Sequence, residues 1–292
     1  MKDIQSLLSF YPFSQTDEQV AQATAELLQA HFDENNHTAV WQQCLNQIDL
    51  TTLNVDDTTE KVATMTQKVN TFNREFPSLR NVAAICVYPE LVATVRQNLT
   101  APIGIAAVAA GFPASQTFTE VKIAEAAMAV KEGATEIDIV LPVGKFLEGR
   151  LQEIADEIAE IKAAIRQAHL KVILETGALR TAENIYKASI LAMASGADFI
   201  KTSTGKIAVN ATPQAAYVMC LAIRDWQEQN ERPIGFKPAG GVSTTDEAVQ
   251  YYTIVKEILG NDWLTNTRFR FGASRLANNL LTSIRGTETR YF

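Results

Sequence analysis

EIDIVLPVGKFLEGRLQEIADEIAEIKAAIRQAHLKVILET (136–176) carries the pattern that decides the fold. It opens on a short apolar run, EIDIVLP (136–142), continues through a helical stretch over 148–168, and returns to a second run, LKVILET (170–176). A strand, a helix and a strand of these lengths form a parallel βαβ unit, because the helix carries the chain back over the sheet. Outward from it, the same alternation covers the chain from residue 45. The other runs are LNQIDLT (45–51), NVAAICV (81–87), IGIAAVAAG (103–111), ADFIKTS (197–203), IGFKPAGG (234–241) and RFRFGAS (268–274). Helical stretches between them include 117–132, 181–195 and 213–229, the last opened by Thr212 as N-cap and Pro213 at the first helical position. Eight strands in strict alternation with helices predict an α/β fold, a closed (β/α)8 TIM barrel over 45–292. An open doubly wound sheet would fit six strands more comfortably.

Residues 1–44 stand outside this rhythm and are read as an N-terminal helical extension packed on the barrel. Thr16, Asp17, Glu18 and Gln19 form a capping-box pattern, and Val20, Ala23, Leu27 and His31 then recur at helical spacing. A second helix is expected over 38–45. No low-complexity stretch, internal repeat or linker rich in proline, glycine and serine interrupts the chain.

Of 292 residues, 47% are hydrophobic and 20% charged, which suits a chain that buries a full core without staples. The net charge of −7 argues against nucleic acid or an anionic membrane as the main partner. An acidic chain that binds phosphate needs a local cluster of donors. Cys44, Cys86 and Cys220 make no disulfide framework, so a reducing cytoplasm is expected. His31, His37 and His169 have no metal-ligand spacing, and neither metal nor cofactor is expected. The N-terminus does not read as a signal peptide, and the longest apolar run, around 103–110, is too short to span a bilayer.

In a barrel of this kind the chemistry sits at the C-terminal ends of the strands. There the sequence offers Asp49 and Thr51, Cys86, Asp138, Lys201 and Lys237. A lone lysine at a strand end usually snorkels to solvent. Two on neighbouring strands, each among apolar or small residues, point instead to an amine kept neutral by burial and by its cationic neighbour, and so nucleophilic toward carbonyls. Asp138 alone could equally be a structural ion-pair partner. A second constellation is three glycine-bearing loops: Thr204, Gly205 and Lys206; Gly240, Gly241, Val242 and Ser243; Gly272, Ala273, Ser274 and Arg275. Loops after the last strands of such barrels commonly hold phosphate on backbone N–H groups. The TGK string is not a phosphate-binding loop of the Walker type, since Ile200 and Ile207 stand where that motif needs glycine and serine or threonine.

LNQIDLTTL, NVAAICVYP, GATEIDIVLPVG, ETGAL, GADFIKTSTGK, GFKPAGGV and RFGAS together resemble the deoxyribose-phosphate aldolase family, in order and spacing, from about Leu45 to Arg275. The resemblance implies reversible cleavage of 2-deoxy-D-ribose 5-phosphate to D-glyceraldehyde 3-phosphate and acetaldehyde. It makes Lys201 the Schiff-base lysine, Lys237 the lysine that perturbs it, and Asp138 an acid/base working through water. It places Asp49, Thr51, Cys86 and Thr204 against the substrate, and Gly205, Lys206, Gly240, Gly241, Gly272, Ser274 and Arg275 around the phosphate. It also implies a homodimer. Two departures stand out: Ser243 where the family often has Arg or Lys, and Arg275 where it has Ser or Gly. Arg275 is expected to supply the displaced charge. Many members end on a tyrosine that reaches the pocket, and Tyr291, followed here by Phe292, is expected to fold over its mouth. Two alternatives stay open: a Schiff-base barrel aldolase for another substrate, and a non-catalytic sugar-phosphate-binding barrel.

Overall fold

In the computed structural model, which describes residues 4–292, all eight runs form strands. They are β1 (Ile48–Thr51), β2 (Ala84–Val87), β3 (Gly104–Val108), β4 (Glu136–Val140), β5 (His169–Ile173), β6 (Phe199–Lys201), β7 (Gly235–Lys237) and β8 (Phe271–Ala273). Every ladder is parallel, successive strands are neighbours, and β1 also pairs with β8. Two isolated bridges, Phe236 with Phe269 and Ala239 with Gly272, join the β7 and β8 edges, so the TIM barrel is nearly closed. The strands are shorter than the apolar runs: β3 to β7 give up the C-terminal ends of their runs to the loops above the barrel, whereas β1, β2 and β8 lose residues chiefly at the N-terminal end.

Both faces of the sheet are buried. Ile137, Ile139, Leu170, Val172, Ile200 and Phe236 pack outward into the helical layer, each no more than 2% exposed. Burial on two faces is why the strands read as continuous apolar runs rather than clean alternation. The helices Thr119–Glu132, Ala182–Ala194 and Pro213–Gln227 match their expected positions. Thr212 Oγ1 caps the last of these by accepting from Ala215 N at 3.1 Å. The expected 148–168 helix forms as Leu151–Ala164, shorter at both ends, and a further short helix, Val143–Leu147, precedes it, with Gly149 at φ +76° between them.

The N-terminal segment packs around the barrel. The helix Asp17–Asn35 starts on the expected capping box, with Gln19 N donating to Thr16 Oγ1 and Thr16 N to Gln19 Oε1. It lies against the helices Pro213–Gln227 and Thr245–Leu259. The next helix, Thr38–Asn46, packs against Arg275–Arg285 and stops one residue before β1, so Leu45 and Asn46 are helical where a strand was expected. The boundary drawn at 44/45 therefore falls inside this helix. Among the described residues, no helix is long and apolar enough to cross a membrane.

Candidate active site

Strand alternation turns a set of charges into the barrel interior. Asp49 comes from β1, Glu136 and Asp138 from β4, Lys171 from β5, Lys201 from β6 and Lys237 from β7, with Arg270 just before β8. Lys201 Nζ and Lys237 Nζ both donate to Asp138 Oδ2 at 2.8 Å, so the three residues singled out by the sequence converge on one atom. Lys237 also donates to Asp49 Oδ2 at 2.5 Å. Three interior residues of this network were not singled out from sequence. Lys171 donates to Asp138 Oδ1 at 3.1 Å and pairs with Glu136. Arg270 pairs with Asp49 and reaches Glu136 Oε1 at 3.1 Å. The signal was present, since each interrupts an apolar run at an inward position; Lys171 is even the register partner of Asp138, while Glu136 lies one layer below Asp138 and Arg270 just before β8.

Electrostatics separate the two lysines. Burial drives Lys201 below the ordinary lysine value, against the pull of Asp138 and with the help of Lys237. Burial acts the same way on Lys237, but Asp138 and Asp49 outweigh it and hold that group above the ordinary value, as a cation. Burial would raise Asp138, yet Lys171, Lys201 and Lys237 together keep it well below the usual carboxylate range. Counting charges in this enclosed space, the carboxylates Asp49, Glu136 and Asp138 already face the cations Lys171, Lys237 and Arg270, so a charge on Lys201 would be one cation in excess. Unbalanced buried charge is expensive, so the network itself favours the free amine at Lys201.

A cleft of about 410 Å³ opens at the ends of β1, β6, β7 and β8. Thr51, Thr204, Gly205, Lys206, Gly240, Gly241, Gly272, Ser274 and Arg275, all singled out from sequence, line it together with Ser243 and Phe292. Lys201, Lys237 and Asp138 do not line it; at 3% exposure or less they lie buried in the barrel. The two regions adjoin at Gly272, where a Cβ would lie 3.1 Å from Lys237 Cε and 2.7 Å from Ala239 Cβ. Asp49 has both oxygens committed to Lys237 and Arg270, and Cys86 sits in an apolar cluster with Leu53, Ala106 and Val108; neither lines the cleft.

The cleft is equipped for an anion. Gly205, Gly240 and Gly241 have φ between +79° and +84°, a region that favours glycine and lets backbone N–H groups turn toward a ligand. Among the described residues, Gly205 N, Gly241 N and Ser274 N have no protein acceptor. Ser243 N and Thr244 N, by contrast, both donate to Glu247 Oε2, at 2.7 and 2.8 Å, in the capping box of the helix Thr245–Leu259. Lys206 Nζ donates to the Leu53 carbonyl from the rim. Arg275 is exposed, and no carboxylate pairs with it among the described residues. The tail departs from expectation. Tyr291 is turned away from the cleft, its hydroxyl donating to the Lys68 carbonyl at 2.6 Å and lying 2.8 Å from Thr71 Oγ1, its ring edge-on to Phe72 and Phe76. Phe292 is the tail residue in the cleft wall.

A parallel barrel that gathers lysines and a carboxylate beneath a glycine-lined cleft has the groups of a carbonyl-attacking enzyme, and comparison with known proteins gives its class, an aldolase and hence a carbon–carbon lyase. The sequence profile described as DeoC/LacD family aldolase matches residues 44–258. A human deoxyribose-phosphate aldolase is 44% identical over 80% of this chain and 77% of its own length. The mouse protein of the same name is 43% identical over the same shares. Among solved structures, a candidate deoxyribose-phosphate aldolase from Toxoplasma gondii ME49 superposes with a TM-score of 0.75 at 25% identity, covering 85% of this chain and 98% of that one. The chain belongs to the DeoC/LacD family of aldolases.

Proposed function

We propose that the protein reversibly cleaves 2-deoxy-D-ribose 5-phosphate to D-glyceraldehyde 3-phosphate and acetaldehyde through a Schiff base on Lys201. The observation that carries this reading is the convergence of Lys201 and Lys237 on Asp138 Oδ2, where burial and the neighbouring Lys237 lower Lys201 while Asp138 and Asp49 raise Lys237. The Lys201 amine attacks the C1 aldehyde, the carbinolamine loses water, and the resulting iminium withdraws electrons as the C2–C3 bond breaks. The C3 hydroxyl proton leaves toward Asp138 through water, and C3 becomes the aldehyde of glyceraldehyde 3-phosphate. The enamine left on Lys201 takes a proton at C2, and hydrolysis releases acetaldehyde and the amine. Thr51 and Thr204 meet sugar hydroxyls, while Asp49 and Cys86 flank the lysine pair from behind. Gly205, Lys206, Gly240, Gly241, Gly272, Ser274 and Arg275 enclose the phosphate.

The relatives' names support the substrate and, with it, a role in deoxyribose phosphate breakdown, and the buried, unpaired cysteines support a reducing cytoplasm. An aldolase of this class from Aeropyrum pernix is described as tetrameric. We keep a dimer as the expectation for this chain, to be checked by light scattering. The mechanism is tested by borohydride reduction in the presence of acetaldehyde, followed by peptide mapping. The expected adduct is an ethyl group on Lys201 alone, absent from Lys201→Ala. Modification at Lys237 would reverse the two roles, and no adduct would remove the Schiff base.

A further inference from the structure

The loop after β5 holds a buried carboxylate for which the mechanism above has no use. Glu175 is 5% exposed, and among the described residues no lysine, arginine or histidine pairs with it. Its backbone is left-handed, at φ 56° and ψ 58°, a conformation that a side chain other than glycine adopts only when its surroundings enforce it. Both side-chain oxygens are turned to a single residue. Thr204 N donates to Oε1 at 3.2 Å and Thr204 Oγ1 donates to Oε2 at 2.5 Å. The turn carrying Glu175 is also wedged against the far end of the same β6 loop, for a Cβ on Gly177 would lie 2.1 Å from the Val209 carbonyl oxygen. A strained backbone and an unpaired buried carboxylate are two costs at one residue, and together they secure the setting of Thr204.

We propose that Glu175 is a positioning residue that fixes the polarity of the Thr204 hydroxyl, making it an obligate hydrogen-bond acceptor toward the cleft and so selecting substrates with a free hydroxyl at C4. The proposal rests on the deoxyribose-phosphate reading above. A hydroxyl has one proton and two lone pairs, and a carboxylate only accepts. The Thr204 proton therefore goes to Glu175. One lone pair of Thr204 Oγ1 accepts from Lys206 N at 3.0 Å. A single lone pair remains for the cleft that Thr204 lines. It takes a hydrogen bond from a sugar O–H and has nothing to give a phosphate or carbonyl oxygen. Thr204 lies three residues beyond Lys201 and next to Gly205 and Lys206, which places it between the imine carbon and the phosphate. Of the two hydroxyls there, the one at C3 loses its proton during cleavage. The one at C4 persists throughout, so it is the donor that a fixed acceptor can hold.

The test runs in the condensing direction, where C2 of the acceptor aldehyde becomes C4 of the product. Acetaldehyde is condensed with D-glyceraldehyde 3-phosphate and with its 2-fluoro analogue, whose fluorine resembles the hydroxyl in size but cannot donate. The readout is the ratio of kcat/KM for the two acceptors. Glu175→Gln keeps the shape but reverses the polarity. Its carbonyl takes the Thr204 N–H, its amide donates to Thr204 Oγ1, and the hydroxyl proton swings into the cleft. We expect the preference for the hydroxyl acceptor to fall about tenfold to a hundredfold, mostly through KM. Thr204→Val should show the same fall, and adding Glu175→Gln to it should produce no further change, as required of residues acting through one another. An unchanged ratio in Glu175→Gln, or equal losses on both acceptors, overturns the proposal. If the glutamine variant does not fold, Thr204→Val decides alone, and an unchanged ratio there overturns it. Failure of the wild type to condense D-glyceraldehyde 3-phosphate would remove the deoxyribose-phosphate reading and this inference together. A normal wild type with an unchanged ratio would remove only the role of Glu175.

Discussion

Lys201 and Lys237 share a carboxylate oxygen yet carry opposite shifts, because their second neighbours differ. Lys237 has Asp49 as well as Asp138, whereas Lys201 has Asp138 alone and feels Lys237 as a like charge. The two residues are therefore not interchangeable, and substitutions around Lys201 should move its titration in opposite directions. Lys237→Met removes a cation that depresses Lys201, so the midpoint of acetaldehyde trapping against pH moves up, toward the ordinary lysine value of about 10.4. Asp138→Asn removes the anion that holds the ammonium form, so the midpoint moves down. An unmoved midpoint in both variants, measured by borohydride trapping rates, would show that burial alone sets the Lys201 titration. Lys201, Lys237 and Asp138 were legible in the sequence as charges set within apolar runs. Lys171 and Arg270 carry an equivalent signal, but that Lys171 stands level with Asp138 and a layer below Lys201 depends on register between strands, and register is a tertiary property.

The loops after β6, β7 and β8 line the cleft with different groups. The β7 loop enters the helix Thr245–Leu259, whose capping box uses Ser243 N and Thr244 N for the helix itself. Its remaining glycines present neutral backbone, and the charge comes from elsewhere. Arg275 begins the helix Arg275–Arg285 directly on the cleft, free of any carboxylate among the described residues. Arg275→Ala is expected to raise KM for the phosphorylated substrate about tenfold to a hundredfold, as for loss of a charged hydrogen bond, and to leave cleavage of unphosphorylated deoxyribose nearly unchanged. Ser243→Arg in that background should recover most of the loss. Steady-state kinetics on both substrates check this, and equal effects on the two would return Arg275 to the solvent. The capping boxes at Thr16 and Thr244 form alike, but only the first was noted from sequence, where a polar segment turns to helical spacing with no strand to obscure it.

At the scale of the whole molecule, a barrel built around an ion network ties its stability to acid. Burial would raise Asp49, Glu136 and Asp138, but neighbouring cations hold all three below their ordinary values. A carboxylate depressed in the folded state contributes stability above its unfolded pKa, near 4, and loses it as pH falls through the folded value. The melting temperature should therefore be flat from neutrality to about pH 5 and fall progressively below about pH 4. Asp138→Asn should be less stable at neutral pH, with a shallower acid limb, in calorimetry across pH 2 to 8. A decline that begins near pH 6 would assign acid sensitivity to histidine instead.

The sequence by itself determined the number of strands, their parallel order, the helical N-terminal segment and the strand ends at which lysine meets carboxylate. These follow from periodicity, which is local: two-sided burial writes apolar runs, and helix-forming stretches between them dictate parallel return. The tertiary structure alone decided what each charge faces. It set Lys171 and Arg270 into the network beneath Lys201, turned Tyr291 onto the Phe72 and Phe76 face in favour of Phe292 at the cleft, and aimed Glu175 at Thr204 across 29 residues of sequence. The energy of a charge depends on distance and burial, and neither quantity exists until the barrel has closed.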